Sequence, residues 1–484
     1  MKSGLLSICW LLFAFGIVPL AGCKVGPDYS RPQTAADVPG GYSHAGTHNE
    51  DVNDLADVDR WWEGFGDRTT ATLVREALAN NYDLKAAAAR LLQARAALAE
   101  ARGRKLPDVS YNLSRDRSKR SFNLGGGPFG GGRFSVMSTT WGQDISVTYV
   151  LDLFGKLRYA ERAAWAEMLA AEAAEQALTN SLIASVIGAR INIATIQRRL
   201  AIARANTKSR QSTLDIVERR YSQGLVGPVD VRLARENLEA AKALEPSVEL
   251  ALARSHHALD VLLARQPGKS EYLPETLAEL PDLEPVPIGV PASLLDRRPD
   301  VMAAELALRS ANERISVSIA QWYPDLTLTA NYGASADRWR DIWEHYSETY
   351  ALLMRLAQPI FRGGQIRAQI DAAKARYAEL AANYAGTVLT AMREVEDALV
   401  SEQMLQTQLG HAQIRITEAS AAEELSRQRY QQGLAGILTV LESERRRRIA
   451  EEELTVLKGQ IWTTRVNLYL ALGGDWSYRE QPEE

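Results

Sequence analysis

The sequence predicts a mainly α-helical fold with a smaller β part, built by tandem duplication of a long-helix hairpin. Three observations carry this. Two proline-free stretches, Lys156 to Gln223 and Gln365 to Gln432, are each 68 residues long (223 − 156 + 1 and 432 − 365 + 1). Ala, Leu, Glu, Gln and Arg dominate both, so helix propensity is high throughout. Four shorter runs alternate apolar and polar residues with the period of a strand. The whole pattern then occurs twice, in the same order.

At 1.5 Å per residue each long helix extends roughly 100 Å. The first carries a heptad, with Val186, Ile193, Leu200, Leu214 and Tyr221 alternating with Leu182, Ala189, Ile196, Ala203 and Val217. The second keeps similar spacing through Val395, Ala398, Leu405, Leu409, Ala412, Ile416 and Ala419. A helix this long cannot bury its own face, so it must pack against other long helices, from this chain or from copies of it.

The chain has 484 residues, 46% hydrophobic and 24% charged, with a formal net charge of −4. Near-neutral charge gives no electrostatic case for nucleic acid. There are two cysteines, Cys9 and Cys23, so no disulfide framework holds the body. Residues 1–22 read as a signal peptide: Lys2, an apolar run from Leu5 to Leu20, then Leu20-Ala21-Gly22-Cys23. Leu-Ala-Gly-Cys matches the bacterial lipobox, which implies an N-acyl diacylglyceryl cysteine at Cys23 after cleavage. Lys24, where inner-membrane lipoproteins carry aspartate, points to the outer membrane of a Gram-negative cell.

Residues 23–66 read as an acylated strap laid over the surface, with Pro27, Pro32 and Pro39 and few apolar residues. The first repeat spans 67–267. It opens with a helix from about Arg68 to Arg104, stopped at Pro107. Val109, Tyr111 and Leu113 then alternate with Ser110, Asn112 and Ser114. A loop with Arg115, Arg117, Lys119 and Arg120 and the glycine-rich Gly125 to Gly132 follows. Ile145, Val147, Tyr149, Leu151 and Leu153 mark a second strand and lead into the first long helix. That helix ends at Tyr221-Ser222-Gln223-Gly224-Leu225, and a return helix is expected from about Val229 to Arg265. Residues 268–291 form a proline-rich linker.

The second repeat spans 292–474, followed by a tail of residues 475–484. A helix is expected from Ser293 to Gln321, then strands around Leu326 to Tyr332 and Tyr350 to Leu356. The second long helix ends at Tyr430-Gln431-Gln432-Gly433-Leu434, and its return helix runs from about Leu438 to Leu472. Asp83 corresponds to Asp300 and Pro107 to Pro324, both 217 apart (300 − 83, 324 − 107). Tyr221 corresponds to Tyr430 and Gly224 to Gly433, both 209 apart (430 − 221, 433 − 224). The eight-residue change falls around the strand pairs.

Each alternating run is roughly ten residues, the length that a tilted strand needs to cross a bilayer. An open sheet edge cannot sit in lipid, so such strands must close into a barrel. Four strands cannot close one, since the smallest single-chain barrels need about eight. The chain must therefore share a barrel with other copies.

On these features the chain resembles the outer membrane efflux proteins, in the lipoprotein branch that serves resistance-nodulation-division pumps. The residues carrying the resemblance are Cys23 to Pro32, Leu153-Phe154-Gly155, Phe361-Arg362-Gly363-Gly364 and the paired Tyr-x-x-Gly-Leu turns. It implies a homotrimer: a shared twelve-stranded outer-membrane β-barrel, four strands per chain, continuing into a periplasmic α-barrel of twelve helices. A periplasmic adaptor and an inner-membrane pump are the implied partners, with outer-membrane lipid around the barrel. The implied function is passive conduction of small substrates, with no chemistry, no cofactor beyond the lipid and no metal.

The same resemblance places Tyr221, Gly224, Leu225, Tyr430, Gly433 and Leu434 at the periplasmic tip, where the adaptor docks. Some members ring the constriction with an Asp-Val-Leu-Asp stretch; this chain reads Thr439-Val440-Leu441-Glu442. Glu442 is carried over as a gate candidate, with Thr439 where one acid is missing and Asp230 at the Thr439 position of the first half. The alternative for both acids is a solvated helix face.

Other signals carry less. In the run Arg445 to Arg448, Arg447 can pair with Glu451 and Arg448 with Glu452, each four residues on. The glycine run lacks the ending of a phosphate loop. His256 and His257 are adjacent and point about 100° apart on a helix, which suits a shared metal poorly. No nucleophile–base grouping is visible. A structural lipoprotein tethering the envelope is the rival reading, and the exit channel of a type I secretion system shares the fold. The strand runs argue against the first and the lipobox against the second.

Overall fold

The computed structural model describes residues 25–32, 41–45, 62, 67–123, 132–269, 271, 273, 288 and 294–474. The signal peptide, Cys23, most of the strap, Gly125 to Gly131, nearly all of the linker and the tail lie outside the described residues. The chain divides into two units. One comprises 92–170 and 305–382 with the strap residues up to Pro32; the other comprises 33–91, 171–304 and 383 onward.

The helices are α1 (Arg68–Asn80), α2 (Tyr82–Gly103), α3 (Lys156–Ser222), α4 (Pro228–Leu262), α5 (Leu294–Arg297), α6 (Pro299–Ala320), α7 (Gln365–Gln431) and α8 (Ile437–Ala471). The strands are β1 (Asp108–Asn123), β2 (Arg133–Leu151), β3 (Asp325–Ala336) and β4 (Glu348–Ala357). Helices α3 and α7 are 67 residues each and contain no proline.

The helices expected at Arg68–Arg104 and Ser293–Gln321 are both interrupted. The breaks fall at Asn81 and Arg298, which are 217 apart (298 − 81) and therefore equivalent in the two repeats. Asn81 is extended in ψ and its side-chain oxygen accepts from the backbone N–H of Asp83 (2.8 Å) and Leu84 (3.1 Å), capping α2. Its side-chain nitrogen donates to the Leu262 carbonyl (2.9 Å) at the end of α4. Arg298 does the same in the second repeat, donating to the Ala471 carbonyl (3.0 Å) at the end of α8. Leu262 and Ala471 are 209 apart (471 − 262), so the clip is duplicated with the repeat. Both breaks satisfy orphan carbonyls at the end of a return helix, a requirement that helix periodicity does not register.

The four strands form one antiparallel sheet in the order β1-β2-β3-β4. β1 and β2 are longer than their alternating cores, at 16 and 19 residues. Arg115, Arg117, Lys119 and Arg120 lie in β1, not in a loop, because their backbones pair with Trp141, Thr139, Met137 and Val136. Backbone pairing needs no apolar alternation. Arg115 stacks over the Trp141 ring at 4.9 Å, and Phe122 stacks on Phe134 across the strands at 5.2 Å. This longer hairpin accounts for the offset: Pro107 to Lys156 is 49 residues and Pro324 to Gln365 is 41, by the numbering.

In the unit that holds most of α3, the first heptad is realised. Val186 and Ile193 are fully buried, and Leu182, Ile196, Leu200, Ala203, Leu214 and Val217 are buried beside them. Ala189 is only half-buried, and Tyr221 is exposed. The second heptad is buried at Val395 and Ala398 but only half-buried at Leu405, Leu409, Ala412, Ile416 and Ala419. In the other unit, strap residues bond to the body. Tyr159 accepts from the Val25 backbone N–H through its hydroxyl (3.0 Å), and Arg31 pairs with Glu305 (2.7 Å). Gly26 takes a positive φ of 106° where a side chain would strike Ser316.

Candidate functional site

Two regions bear on function: the sheet and the paired helix turns. Register puts Tyr332 opposite Ile145 and Tyr350, Ala330 opposite Val147 and Leu352, and Leu328 opposite Tyr149 and Met354. Val109 and Tyr111 continue the row on β1, opposite Val147 and Ile145. Directly paired residues share a face, so one side of the sheet is a continuous apolar surface across all four strands. It is exposed: Tyr350 is 86%, Leu352 79% and Met354 75% accessible. An apolar patch of this extent marks a surface that water does not cover.

The opposite face carries Asn112, Asp144, Ser146, Thr148, Thr327, Thr329 and Asn331, with Val150 and Leu353 as apolar exceptions. Asn112 donates to Asp144 across the strands (3.0 Å). Aromatic residues flank the apolar band at both ends. At one end Phe154 stacks on Tyr323 (4.7 Å) beside Trp322; at the other Trp141 meets Trp339 (5.1 Å) and Trp339 meets Trp343 (6.1 Å). Apolar-out, polar-in alternation between two aromatic girdles is the pattern of a membrane barrel wall.

At the turns, the two Tyr-x-x-Gly-Leu segments are the same helix stop. Gly224 (φ 74°) and Gly433 (φ 78°) occupy the left-handed position after α3 and α7. The Gly224 N–H donates to the Tyr221 carbonyl (2.9 Å) and the Leu225 N–H to the Arg220 carbonyl (2.9 Å). In the second turn Gly433 donates to Tyr430 (3.0 Å) and Leu434 to Arg429 (2.8 Å). This is a Schellman motif, whose third-to-last and following positions set the spacing that the sequence displays. Pro228 then starts α4 at its first turn, where its missing N–H costs nothing. Leu225 and Leu434 are exposed.

The tyrosines differ. Tyr430 is 3% exposed and Tyr221 48%. Tyr430 packs into an apolar cluster with Val217, Val231 and Ile437 and is covered by Arg220, whose guanidinium lies 4.8 Å over the Tyr430 ring and donates to the Tyr430 (2.7 Å) and Gln431 (3.1 Å) carbonyls. Burial pushes the Tyr430 phenol above its ordinary range; Arg220 offsets part of that and the Asp230 carboxylate adds to it.

Asp230 is half-buried in the first turn of α4 and Thr439 is exposed in the first turn of α8. Glu442 is held by its own helix. Arg445 donates twice to its carboxylate (2.8 Å each) and Arg446 once (2.7 Å). These guanidiniums hold the Glu442 carboxyl down at about 2, against an ordinary 4.5. Two arginines of the run are thus committed to Glu442, while Arg447 pairs with Glu451 (2.8 Å) and Arg448 with Glu452 (3.0 Å).

Sequence reasoning missed a buried polar layer above the turns. Glu444 is 2% exposed, accepts from the Thr213 hydroxyl (2.6 Å) and faces Arg427 (3.5 Å). Glu423, also buried, pairs with Arg427 (3.0 Å) and with Arg447. The layer sits beside an apolar cluster of Leu214, Val217, Val231, Leu238, Tyr430, Ile437 and Val440. The spacing of Glu423 and Arg427, four apart on one helix, was the only signal; burial of the pair depends on two other helices. Adjacent His256 and His257 part company, the first buried and the second exposed.

With this geometry established, comparison with known proteins is direct. The family model of the outer membrane efflux protein matches residues 73–265 and 290–474. These segments begin 217 residues apart (290 − 73) and end 209 apart (474 − 265), the offsets of the duplication. The chain is 32% identical over 470 residues to the probable efflux pump outer membrane protein SepC of Pseudomonas putida, covering 95% of each. It is 31% identical over 443 residues to the pyoverdine export outer membrane protein OpmQ of Pseudomonas aeruginosa, covering 89% of this chain and 90% of that one. The solved outer-membrane channel OprN superposes with a TM-score of 0.85 at 29% identity, covering 94% of this chain and all of that one.

The depressed Glu442 carboxyl gives a testable pH dependence. Because its folded pKa lies below the unfolded one, its contribution is complete above about pH 4.5 and is lost as pH falls toward 2. Amide protection in the first turns of α8, with exchange corrected for its intrinsic pH dependence, should therefore fall on acidification through that window, and Glu442→Gln should show the lower protection already at pH 6. Indistinguishable exchange in the two proteins at pH 6 would remove the cluster from tip stability. The matched segments, the relatives and the sheet agree: this chain is a member of the outer membrane efflux protein family.

Proposed function

We propose that the chain is one subunit of a trimeric outer-membrane exit channel in a tripartite efflux pump. The observation that carries the reading is the four-stranded sheet with one continuous apolar face and two edges unpaired among the described residues. Three copies supply twelve strands, enough to close a barrel in which no edge meets lipid. The apolar face then meets the acyl chains, and the face with Asn112, Asp144 and Thr329 lines the pore. An envelope tether needs no such sheet.

The channel conducts passively and does no chemistry; the inner-membrane pump supplies the energy and a periplasmic adaptor joins the two. Opening is a population shift between a closed and an open tip, biased by the adaptor. The exposed Leu225 and Leu434 in the two turns offer it apolar contacts, and Asp230, Thr439 and Glu442 flank the constriction. The lipobox supports a further anchor, an N-acyl diacylglyceryl group on Cys23.

Purified protein in planar bilayers tests the reading. The wild type should give a low resting conductance, and Glu442→Ala, alone or with Asp230→Ala, should raise it several-fold by loosening the tip. Unchanged conductance would take these acids out of the gate, and no conductance under any condition would contradict the channel itself. Intact-mass measurement tests the anchor. The mature chain should begin at residue 23 and carry the added mass of three acyl chains and glycerol, and Cys23→Ser should abolish both. An unmodified Cys23 in the wild type would refute the anchor.

A further inference from the structure

On the apolar face of β1 the alternation of large apolar residues ends at Leu113, and a basic one takes over. Val109, Tyr111 and Leu113 share that face with Ile145 and Tyr332. Pairing with β2 is unbroken from Asp108 to Asn123. Arg115, Arg117 and Lys119 therefore stand on the same face, opposite Trp141, Thr139 and Met137. The period that turns Tyr111 toward lipid turns these three cations the same way.

Their depth follows from the strand. Leu151, beside the girdle of Phe154 and Tyr323, is ten residues from Trp141 in the other girdle (151 − 141). At about 3.3 Å per residue and a tilt near 40°, that is a height of about 25 Å, the span of a barrel's apolar band. Arg115 is level with Trp141 and stacks on its ring (4.9 Å). Arg117 and Lys119 are two and four residues farther out, roughly 5 and 10 Å above the girdle on the same geometry. That is headgroup depth, a layer roughly 5–8 Å thick on each side of the hydrocarbon. This end of the sheet lies away from Gly103 and Lys156, where the helices join it, and so belongs to the outer leaflet.

The charge is uncompensated within the chain. Arg117 and Lys119 are exposed, and neither pairs with a carboxylate among the described residues. Asp116, between them in sequence, lies on the opposite face with Thr140. The only acid on the apolar face of the described strands is Glu348 of β4, which contacts His345 (2.7 Å). The second hairpin has no such row, since β3 ends at Ala336, level with Trp141. The extension that lengthens the first hairpin is thus the part that carries the cations.

We propose that Arg115, Arg117 and Lys119 hold the phosphate of an anionic lipid in the outer leaflet. Arg117 and Lys119 donate to the phosphate oxygens, where the guanidinium fork suits two of them at once. Arg115, lying on Trp141, marks the base of the site, where headgroup gives way to acyl chain. The inference rests on the channel reading, because it needs the apolar face to meet lipid.

Native mass spectrometry of the detergent-extracted full-length protein tests this with lipid A as the probe. The wild type should retain lipid A with its phosphates intact about tenfold better than the dephosphorylated lipid, the equivalent of roughly one charge-assisted hydrogen bond. Arg117→Gln with Lys119→Gln should remove that preference, and either single variant should lower it several-fold. Arg120→Gln, which takes a cation from the opposite face, should keep it. Equal retention of both lipids by the wild type overturns the site, and so does a preference that the double variant keeps or that Arg120→Gln loses. Binding of inorganic phosphate without any preference between the lipids makes it a free-anion site and overturns the lipid assignment. The same spectra give the particle's mass. A trimer without the preference overturns this site and leaves the channel reading standing, whereas a monomer overturns that reading and the site with it.

Discussion

The constraint on which the structure depends is the hydrogen-bonding capacity of β1 and β4 at the sheet's two edges, unmet among the described residues. In hydrocarbon each unpaired backbone group costs several kcal/mol, and an edge presents a row of them. Four strands cannot close on themselves, so the edges are satisfied only by other copies. Oligomerisation is thus imposed by the backbone, before any side chain is considered. The side chains then fix orientation: Tyr332, Tyr350, Leu352 and Met354 stand exposed on one face of the sheet, and that face meets lipid.

The helical part answers the same demand in different terms. The seam of α3 from Leu182 to Val217 is buried within the chain, mainly against α1, α4 and α8, but the seam of α7 from Leu405 to Ala419 stays half-covered. The polar layer of Thr213, Glu423, Arg427, Glu444 and Arg447 sits among these helices. Buried charges of this kind add little net stability, because desolvation offsets most of their attraction. Their value lies in register: sliding one helix by a turn would strand Glu444 without Thr213, so the layer fixes how the repeats meet beside the two helix turns.

Much of the fold was legible because its period is long and unambiguous. Proline-free stretches, glycine stops and the 217 and 209 offsets located the long and return helices to within a few residues. The strand cores were legible from alternation, but the outer parts of β1 and β2 were not. Arg115 to Arg120 carry no apolar period, and only pairing with Trp141 to Val136 makes them strand. The breaks at Asn81 and Arg298 were hidden because each depends on a carbonyl at a distant helix end. The turn residues were placed by the Tyr-x-x-Gly-Leu repeat, yet the sequence gives Tyr221 and Tyr430 the same standing. The cluster around Val217 and Val231, with Arg220 over the ring, buries Tyr430 and not Tyr221. Glu442 was legible as an acid near the turn, whereas its capture by Arg445 and Arg446 came from side-chain geometry.

The central claim is that this sheet is one third of a closed barrel, and electron microscopy of the detergent-extracted protein tests it most directly. The account predicts a particle with threefold symmetry, a hollow axis and twelve strands in its membrane wall. A monomer, or an assembly in which β1 and β4 remain unpaired, would contradict it.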